Sequence, residues 1–203
     1  MPAEGRARFE RRLVAVIPAH NEQDGILLAL AALSAQTRQP DRVIVVADNC
    51  VDATAQRARG WGAEVVTTVD NRATKAGALN QVFATLLPSL RDDDVILVQD
   101  ADSFLDGGFI QGGLAALDLD RGLGAVGGTF RGKPAPPGSP WVERLLTHLQ
   151  DNEYARYARD VRRLKGRCLV VTGTASMFRA GTLREASEAR LSGRLPAGDG
   201  RGG

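Results

Sequence analysis

Three apolar runs that each open into a polar loop constrain this chain more than any other feature. Leu13-Val14-Ala15-Val16-Ile17-Pro18 leads into Ala19-His20-Asn21-Glu22, Arg42-Val43-Ile44-Val45-Val46-Ala47 leads into Asp48-Asn49, and Val95-Ile96-Leu97-Val98-Gln99 leads into Asp100-Ala101-Asp102. Continuous runs of Val, Ile and Leu read as strands buried on both faces, the pattern of a parallel sheet. Pro18 carries no N–H and marks the end of its ladder. An unpaired buried carboxylate costs several kcal/mol or is forced to protonate. Acids at the ends of such strands therefore read as opening into a crevice, where a cation can hold them. A single Asp-x-Asp is short and common, and either of its acids could simply cap the next helix. Three strands delivering polar groups to one edge favour the crevice.

Helical spacing separates the strands. Residues 23–36 place Ile26, Leu27, Leu30 and Leu33 on one face, and residues 74–87 do the same with Ala78, Leu79, Val82, Phe83 and Leu86, ended or kinked by Pro88. A short helix is expected over 53–61, with Asp52 or Thr54 as its cap and Gly62 at its end. Further strands are expected at 64–69, 124–130 and 168–171, and further helices within 104–119, over 141–164 and over 180–191. In the 141–164 helix, Val142, Leu145, Leu146 and Leu149 are candidates for a buried face. Strand-helix alternation at this spacing predicts an α/β domain, a mostly parallel sheet with helices on both faces. Ligands in such sheets bind outside the carboxyl ends of the strands.

Domain organisation follows from the same pattern. Residues 1–12 form a charged extension without the apolar core of a signal peptide, 13–192 form the domain, and 193–203, rich in glycine, are expected to be disordered. With 203 residues, one domain is the default. The formal net charge of +2 gives no argument for a nucleic-acid partner. No apolar run reaches the roughly 18 to 20 residues that span a bilayer. The basic stretch from Arg156 to Arg167 reads as a solvated helix face that leaves room for a peripheral membrane contact. Cys50 and Cys168 lack metal-site spacing and are expected to be free thiols in a reducing cytosol.

The motifs that are missing narrow the chemistry. No G-x-G-x-x-G follows the first strand, no P-loop is present, and there is no G-x-S-x-G elbow. What remains is an acidic sheet edge suited to magnesium or manganese, which take oxygen ligands, and to an anion such as a nucleoside diphosphate.

Four segments then carry a resemblance: Val16-Ile17-Pro18-Ala19-His20-Asn21-Glu22, Val45 to Thr54 with Asp48-Asn49-Cys50-Val51-Asp52, Lys75-Ala76-Gly77-Ala78-Leu79-Asn80, and Asp100-Ala101-Asp102. In this order and spacing they resemble a family 2 glycosyltransferase of bacterial or phage type, over about residues 13–185. The resemblance implies the GT-A fold, with the nucleotide-sugar part at about 13–131. It also implies a nucleotide-sugar donor, UDP by family weight, a divalent Mn2+ or Mg2+, and transfer with inversion to an acceptor hydroxyl. The acceptor would be a carbohydrate, a lipid-linked group or a protein, and the site would face the cytoplasm, in places at the membrane's cytoplasmic surface.

By the same resemblance, Pro18, Ala19, His20, Asn21, Glu22 and Asp48 hold the nucleoside, with Asp48 toward the base. Lys75, at the start of a helix, faces phosphate, where a solvated lysine is the alternative. Asp100 lies at the ribose with Ala101 beside it. Asp102 binds the metal, with Asp100 as its neighbour and second candidate ligand. Gly173 and Thr174 resemble the segment near the donor sugar and acceptor, and a plain turn would explain them equally. His20 reads as a loop residue rather than a base or ligand. In relatives the catalytic base lies in an acidic motif downstream of the matched region, and Asp199 is a poor substitute for it. Two alternatives follow: a donor-binding module without the base, and a metal-dependent nucleotidyltransferase.

Overall fold

Every residue of β1 (Leu13–Ala19) is buried, as its unbroken apolar run requires. A strand with no polar face needs a neighbour on each edge and a layer on each side. The computed structural model supplies both. It describes residues 11–129, 138–142, 144–149, 159 and 174–193.

In chain order the elements are β1, α1 (Ile26–Ser34), β2 (Arg42–Ala47), α2 (Thr54–Trp61), β3 (Glu64–Thr67) and α3 (Thr74–Leu86). A 3-10 turn (Leu87–Ser89), β4 (Val95–Gln99), α4 (Phe109–Leu119), β5 (Ala125–Gly127), β6 (Ala175–Arg179) and α5 (Ala180–Leu191) follow. The sheet has six strands in the order β3-β2-β1-β4-β6-β5. β1 lies parallel to β2, with Ile17 opposite Val45, and parallel to β4, with Val16 opposite Val98. β3 continues the parallel set beside β2. β6 runs antiparallel to β4 and pairs Ala175 with Gln99.

Alternating side chains of the strands feed two cores. Leu13, Ala15, Ile17, Val95 and Leu97 pack with Ile26, Leu30 and Leu33 of α1, Ala58 of α2, and Ile110 and Leu117 of α4. Val14, Val16, Ile96 and Val98 face the other way, onto Ala78, Val82 and Leu86 of α3 and Ala180 of α5. The expected helices on both faces are therefore present. Each fully buried Leu or Ile contributes about 1.5–3 kcal/mol over its exposed state, so β1 and β4 anchor the domain.

Some expected boundaries shift. α1 begins at Ile26 rather than residue 23, because the Glu22 carbonyl accepts from both Gly25 N and Ile26 N in a turn before the helix. β3 stops at Thr67: the backbone of the exposed Val69 bonds the Gln81 side chain instead of a strand. Gly62 closes α2 at φ +100°, as its position predicts. Residues 175–179 form β6, a strand not among those expected from the sequence. The expected strand at 168–171, Cys168 and the 194–203 tail lie outside the described residues.

The chain divides into two units, residues 1–126 with 173–203, and residues 127–172. In the second unit, residues 141, 142 and 144–149 are helical. Val142, Leu145, Leu146 and Leu149, expected on a buried face, are exposed there. Periodicity located the apolar face but says nothing of what covers it. Among the described residues no helix is long and apolar enough to cross a membrane.

Candidate functional site

The exits of β1, β2 and β4 meet at the carboxyl edge of the sheet. Parallel pairing in register brings them there: Ala19 lies opposite Ala47, and Val16 opposite Val98. A cavity of about 230 Å³ opens at that edge, lined by Pro18, Ala19, His20, Glu22, Asp48, Lys75, Asp100, Ala101 and Asp102. All nine were singled out from the sequence. Asn21 was too, but it is not in the wall. Its backbone is left-handed at φ 55°, and its side-chain Oδ1 accepts from Val51 N at 2.9 Å.

Two loops are tied together before any ligand enters. His20 Nδ1 donates to the Asp48 carbonyl at 2.7 Å, and Asn21 Nδ2 lies 3.3 Å from His20 Nε2. His20 is thus committed to loop structure, the role expected of it. Thr54 Oγ1 accepts from Glu22 N at 2.8 Å and donates to Asp52 Oδ1 at 2.5 Å. Asp52 also accepts from Thr54 N and Gln23 N, at 3.0 and 3.1 Å. Neither residue is the helix cap expected of it: the N-cap position is Ala53, without a side-chain cap bond, and Asp52 and Thr54 instead latch the β1 exit to the start of α2. Cys50 is free, and its Sγ donates to the Ala19 carbonyl at 3.3 Å.

Asp48 is buried, and one of its oxygens is heavily engaged. Oδ1 accepts from Thr68 Oγ1 at 2.7 Å, Asn71 Nδ2 at 2.8 Å and Asn49 Nδ2 at 3.2 Å. Among the described residues no hydrogen bond reaches Oδ2. Thr68 and Asn71 escaped the sequence reading. An Asn three residues before a helix signals an Asx turn at most, and its long-range partner leaves no local trace.

Lys75 pairs with Asp100 across the cavity. Asp100 is fixed from below as well. Its N–H donates to the Thr174 carbonyl at 2.9 Å, which places the Thr174 backbone beside Asp100. Gly173 lies outside the described residues. The buried Gln99 donates from Nε2 to the Ser103 carbonyl at 2.7 Å and shapes the Asp100–Ser103 turn. Asp102 is exposed.

The electrostatics of the edge are unbalanced. Burial pushes the Asp100 carboxyl above the usual aspartate range; the Lys75 bond and charge oppose this, and Asp102 adds to it. Burial also raises Glu22, helped by the charges of Asp102, Asp52 and Asp100 and opposed by His20. Acids that repel one another in a crevice attract a cation. Among the described residues no group of three or more His, Cys, Asp or Glu forms a ready cage. That suits magnesium or manganese, which commonly use one or two carboxylates and take further oxygens from a bound phosphate and water. The donor set, Asp102 with Asp100, is all oxygen and fits such an ion.

A parallel-centred sheet with this acidic carboxyl edge defines an α/β domain whose candidate ligand site lies at the carboxyl ends of its strands. The sequence matches the family described as glycosyl transferase family 2 over residues 14–186, and the chain belongs to that family. No curated protein matches it. Among solved structures it is similar to the mannosyltransferase PcManGT from Pyrobaculum calidifontis in complex with GDP-Man and Mn2+, at 21% identity and TM-score 0.60, covering 90% of this chain and 47% of that one. It is also similar to glucosyl-3-phosphoglycerate synthase from Mycobacterium tuberculosis in complex with Mn2+, UDP-glucose and phosphoglyceric acid, at 21% identity and TM-score 0.53, covering 84% and 57%. At these identities the likeness establishes the GT-A fold. The chain spans about half the length of the solved relatives it matches.

Proposed function

We propose that this chain is the donor-binding domain of a metal-dependent glycosyltransferase, which moves a sugar from a UDP-sugar to an acceptor hydroxyl with inversion. The observation that supports this reading is one cavity at the carboxyl sheet edge lined by residues from each of the sequence segments that resemble the family. The nucleoside lies along the Pro18–Glu22 loop, its base toward Asp48 Oδ2. Lys75 gives its charge to the diphosphate. Asp102 would hold the metal, with Asp100 at the ribose as the second candidate ligand.

Breaking the sugar–phosphate bond builds negative charge on the departing diphosphate. A divalent ion bound here would supply Lewis-acid stabilisation of that charge without a proton. The chain's own residues do the remaining positioning. Lys75 adds a second positive charge, and the β1 and β2 loops, latched by His20 and Thr54, keep the nucleoside wall in place before binding. The resemblance and the absence of a membrane-crossing helix among the described residues support a cytoplasmic site. Membrane contact through the basic segment from Arg156 to Arg167 belongs to the same proposal.

The test is calorimetric binding of UDP-glucose and GDP-mannose to the 203-residue chain, each with and without Mn2+. Metal-dependent binding with UDP-glucose preferred is expected. Binding of neither donor would refute the reading, and metal-independent binding would refute the metal assignment. Pyrophosphate release from a nucleoside triphosphate would point to nucleotidyl transfer instead.

A further inference from the structure

Asn71 lies outside the cavity wall, yet its bonds join the two ends of that wall. Its Nδ2 donates to Asp48 Oδ1 at 2.8 Å and to the Thr74 carbonyl at 2.8 Å. Its Oδ1 accepts from Ala73 N at 3.0 Å, and its own carbonyl accepts from Asn49 Nδ2 at 3.0 Å. These partners fix the amide's orientation, because Ala73 N–H can only donate and the Thr74 carbonyl can only accept. One side chain therefore connects the acid at the end of β2 to the first turn of α3, which carries Lys75.

The surrounding backbone is shaped around this amide. Asp70 and Thr74 flank it in the left-handed region, at φ 47° and 51°. For a β-branched residue such as Thr74 that conformation is strained and persists only where the surroundings enforce it. Gly77, one turn into α3, leaves the space. A Cβ there would meet Asn71 Oδ1 at 1.9 Å, its Cγ at 2.9 Å and Ala73 Cβ at 3.0 Å. Alanine is favoured over glycine inside a helix, so glycine at this helical position has a local cost that the Asn71 contact accounts for.

We propose that Asn71, with room made for it by Gly77, is a positioning residue that couples the Asp48 end of the cavity to the Lys75 end. It turns Asp48 so that Oδ1 is engaged and Oδ2 is left for the nucleoside, and it sets the first turn of α3 that presents Lys75. The proposal rests on the nucleotide-sugar reading of the cavity. Asn71 touches no ligand in this scheme and acts through Asp48 and the backbone of Thr74.

A double-mutant cycle tests it. The unaltered chain, Asn71→Ala, Gly77→Ala and the double variant are compared for UDP binding with Mn2+ by calorimetry and for thermal stability. Asn71→Ala is expected to weaken UDP about tenfold, as loss of a charge-assisted bond and its dependent geometry implies. Gly77→Ala is expected to weaken it at least as much in the unaltered chain. In the Asn71→Ala background the same change should have far less effect on UDP binding and on the melting temperature than in the unaltered chain, because the Oδ1 and Cγ it strikes are gone and only the 3.0 Å approach to Ala73 Cβ is left. Asn71→Asp, nearly isosteric but without the amide donors, should not rescue binding at pH 7. Non-binding of both UDP and GDP by the unaltered chain would remove the nucleotide-sugar reading, and this proposal with it; if only GDP binds, the cycle is read with GDP. Binding by the unaltered chain with no change in Asn71→Ala would overturn the proposal alone. Additive effects of the two substitutions on UDP affinity would overturn it too, since a shared contact must couple them.

Discussion

At the amino edge of the sheet, Asp94 is 0% exposed and fully bonded. It accepts from Arg12 N at 3.0 Å, Arg91 N at 2.9 Å and both arginine side chains. At the carboxyl edge, Asp100 is only partly buried, its side chain 30% exposed, and it meets Lys75 on one side and Asp102 on the other. Their carboxyls respond in opposite directions. Burial would raise Asp94, yet N–H donation from Arg91 and Arg12 and the Arg12 charge outweigh it and hold the carboxyl below its usual range. Asp41 behaves likewise: Arg38 and Leu13 N overcome its burial. At the other edge burial wins for Asp100 and Glu22. The same side chain thus locks strands together at one end and sits at the other beside a second carboxylate, with Lys75 as its ion-pair partner. Cavity size follows a different logic. A larger cleft, about 510 Å³, lies at the amino edge among Arg11, Asp92, Asp118, Arg179 and Arg184. Several of its charged residues pair with one another, Arg11 with Asp118 at 2.7 Å, Arg179 with Asp93 at 3.6 Å, and Arg184 with Asp92.

The most damaging change on this view is at the amino edge. Asp94→Ala strands two arginine side chains and two backbone N–H groups. It should cost about 2–3 kcal/mol, chiefly from the backbone N–H groups left without their acceptor, since both arginine side chains are about half exposed. Chemical denaturation would measure it, with UDP binding retained at temperatures where the variant stays folded. A loss under about 1 kcal/mol would erase the contrast between the edges.

A smaller effect of the opposite kind is expected at the carboxyl edge. Lys75→Met should weaken UDP about tenfold, or about 1.4 kcal/mol, and leave the melting temperature nearly unchanged. A partly exposed pair contributes little to stability. A large drop in melting temperature with unchanged UDP affinity would make Lys75 a structural residue like Arg12.

The smallest effect is in the pH dependence of stability without metal. Asp94, Asp41 and Glu64 have lowered folded values, so their stabilisation is present above the unfolded-chain values of 3.8 and 4.5 and is lost as pH falls through the folded ones. Asp100 and Glu22 have raised folded values and disfavour the folded state above them. As pH falls through those values toward 3.8 and 4.5, this penalty is relieved. Stability should therefore rise slightly on mild acidification and collapse below it. Melting curves of Asp100→Asn should lack part of the rise and keep the collapse.

These contrasts explain what could be read from the chain. β1, β2 and β4 are legible because each is apolar on both faces, and their polar exits are legible because an acid after such a run needs a reason. Nine of the site residues followed from those exits and the start of α3. β6 was less visible: Ala175-Ser176-Met177-Phe178-Arg179 mixes polar and apolar residues and pairs antiparallel with β4. Asn71 and Thr68 were not visible at all. Their work is done 23 and 20 residues away in sequence, at Asp48. Nor does sequence separate the amino-edge aspartates from the carboxyl-edge ones, since the difference lies in how many donors the fold brings to each.

The central claim is that the carboxyl edge is a metal–nucleotide site with Asp102 as the principal protein ligand. Electron paramagnetic resonance of Mn2+ titrated into the chain with UDP present tests it directly, read from the signal of unbound Mn2+. The unaltered chain should quench that signal at one ion per chain, and Asp102→Ala should need about a hundredfold more protein for the same effect, equivalent to about 2.7 kcal/mol, while melting at the same temperature. Equal quenching by Asp102→Ala and the unaltered chain would contradict the assignment.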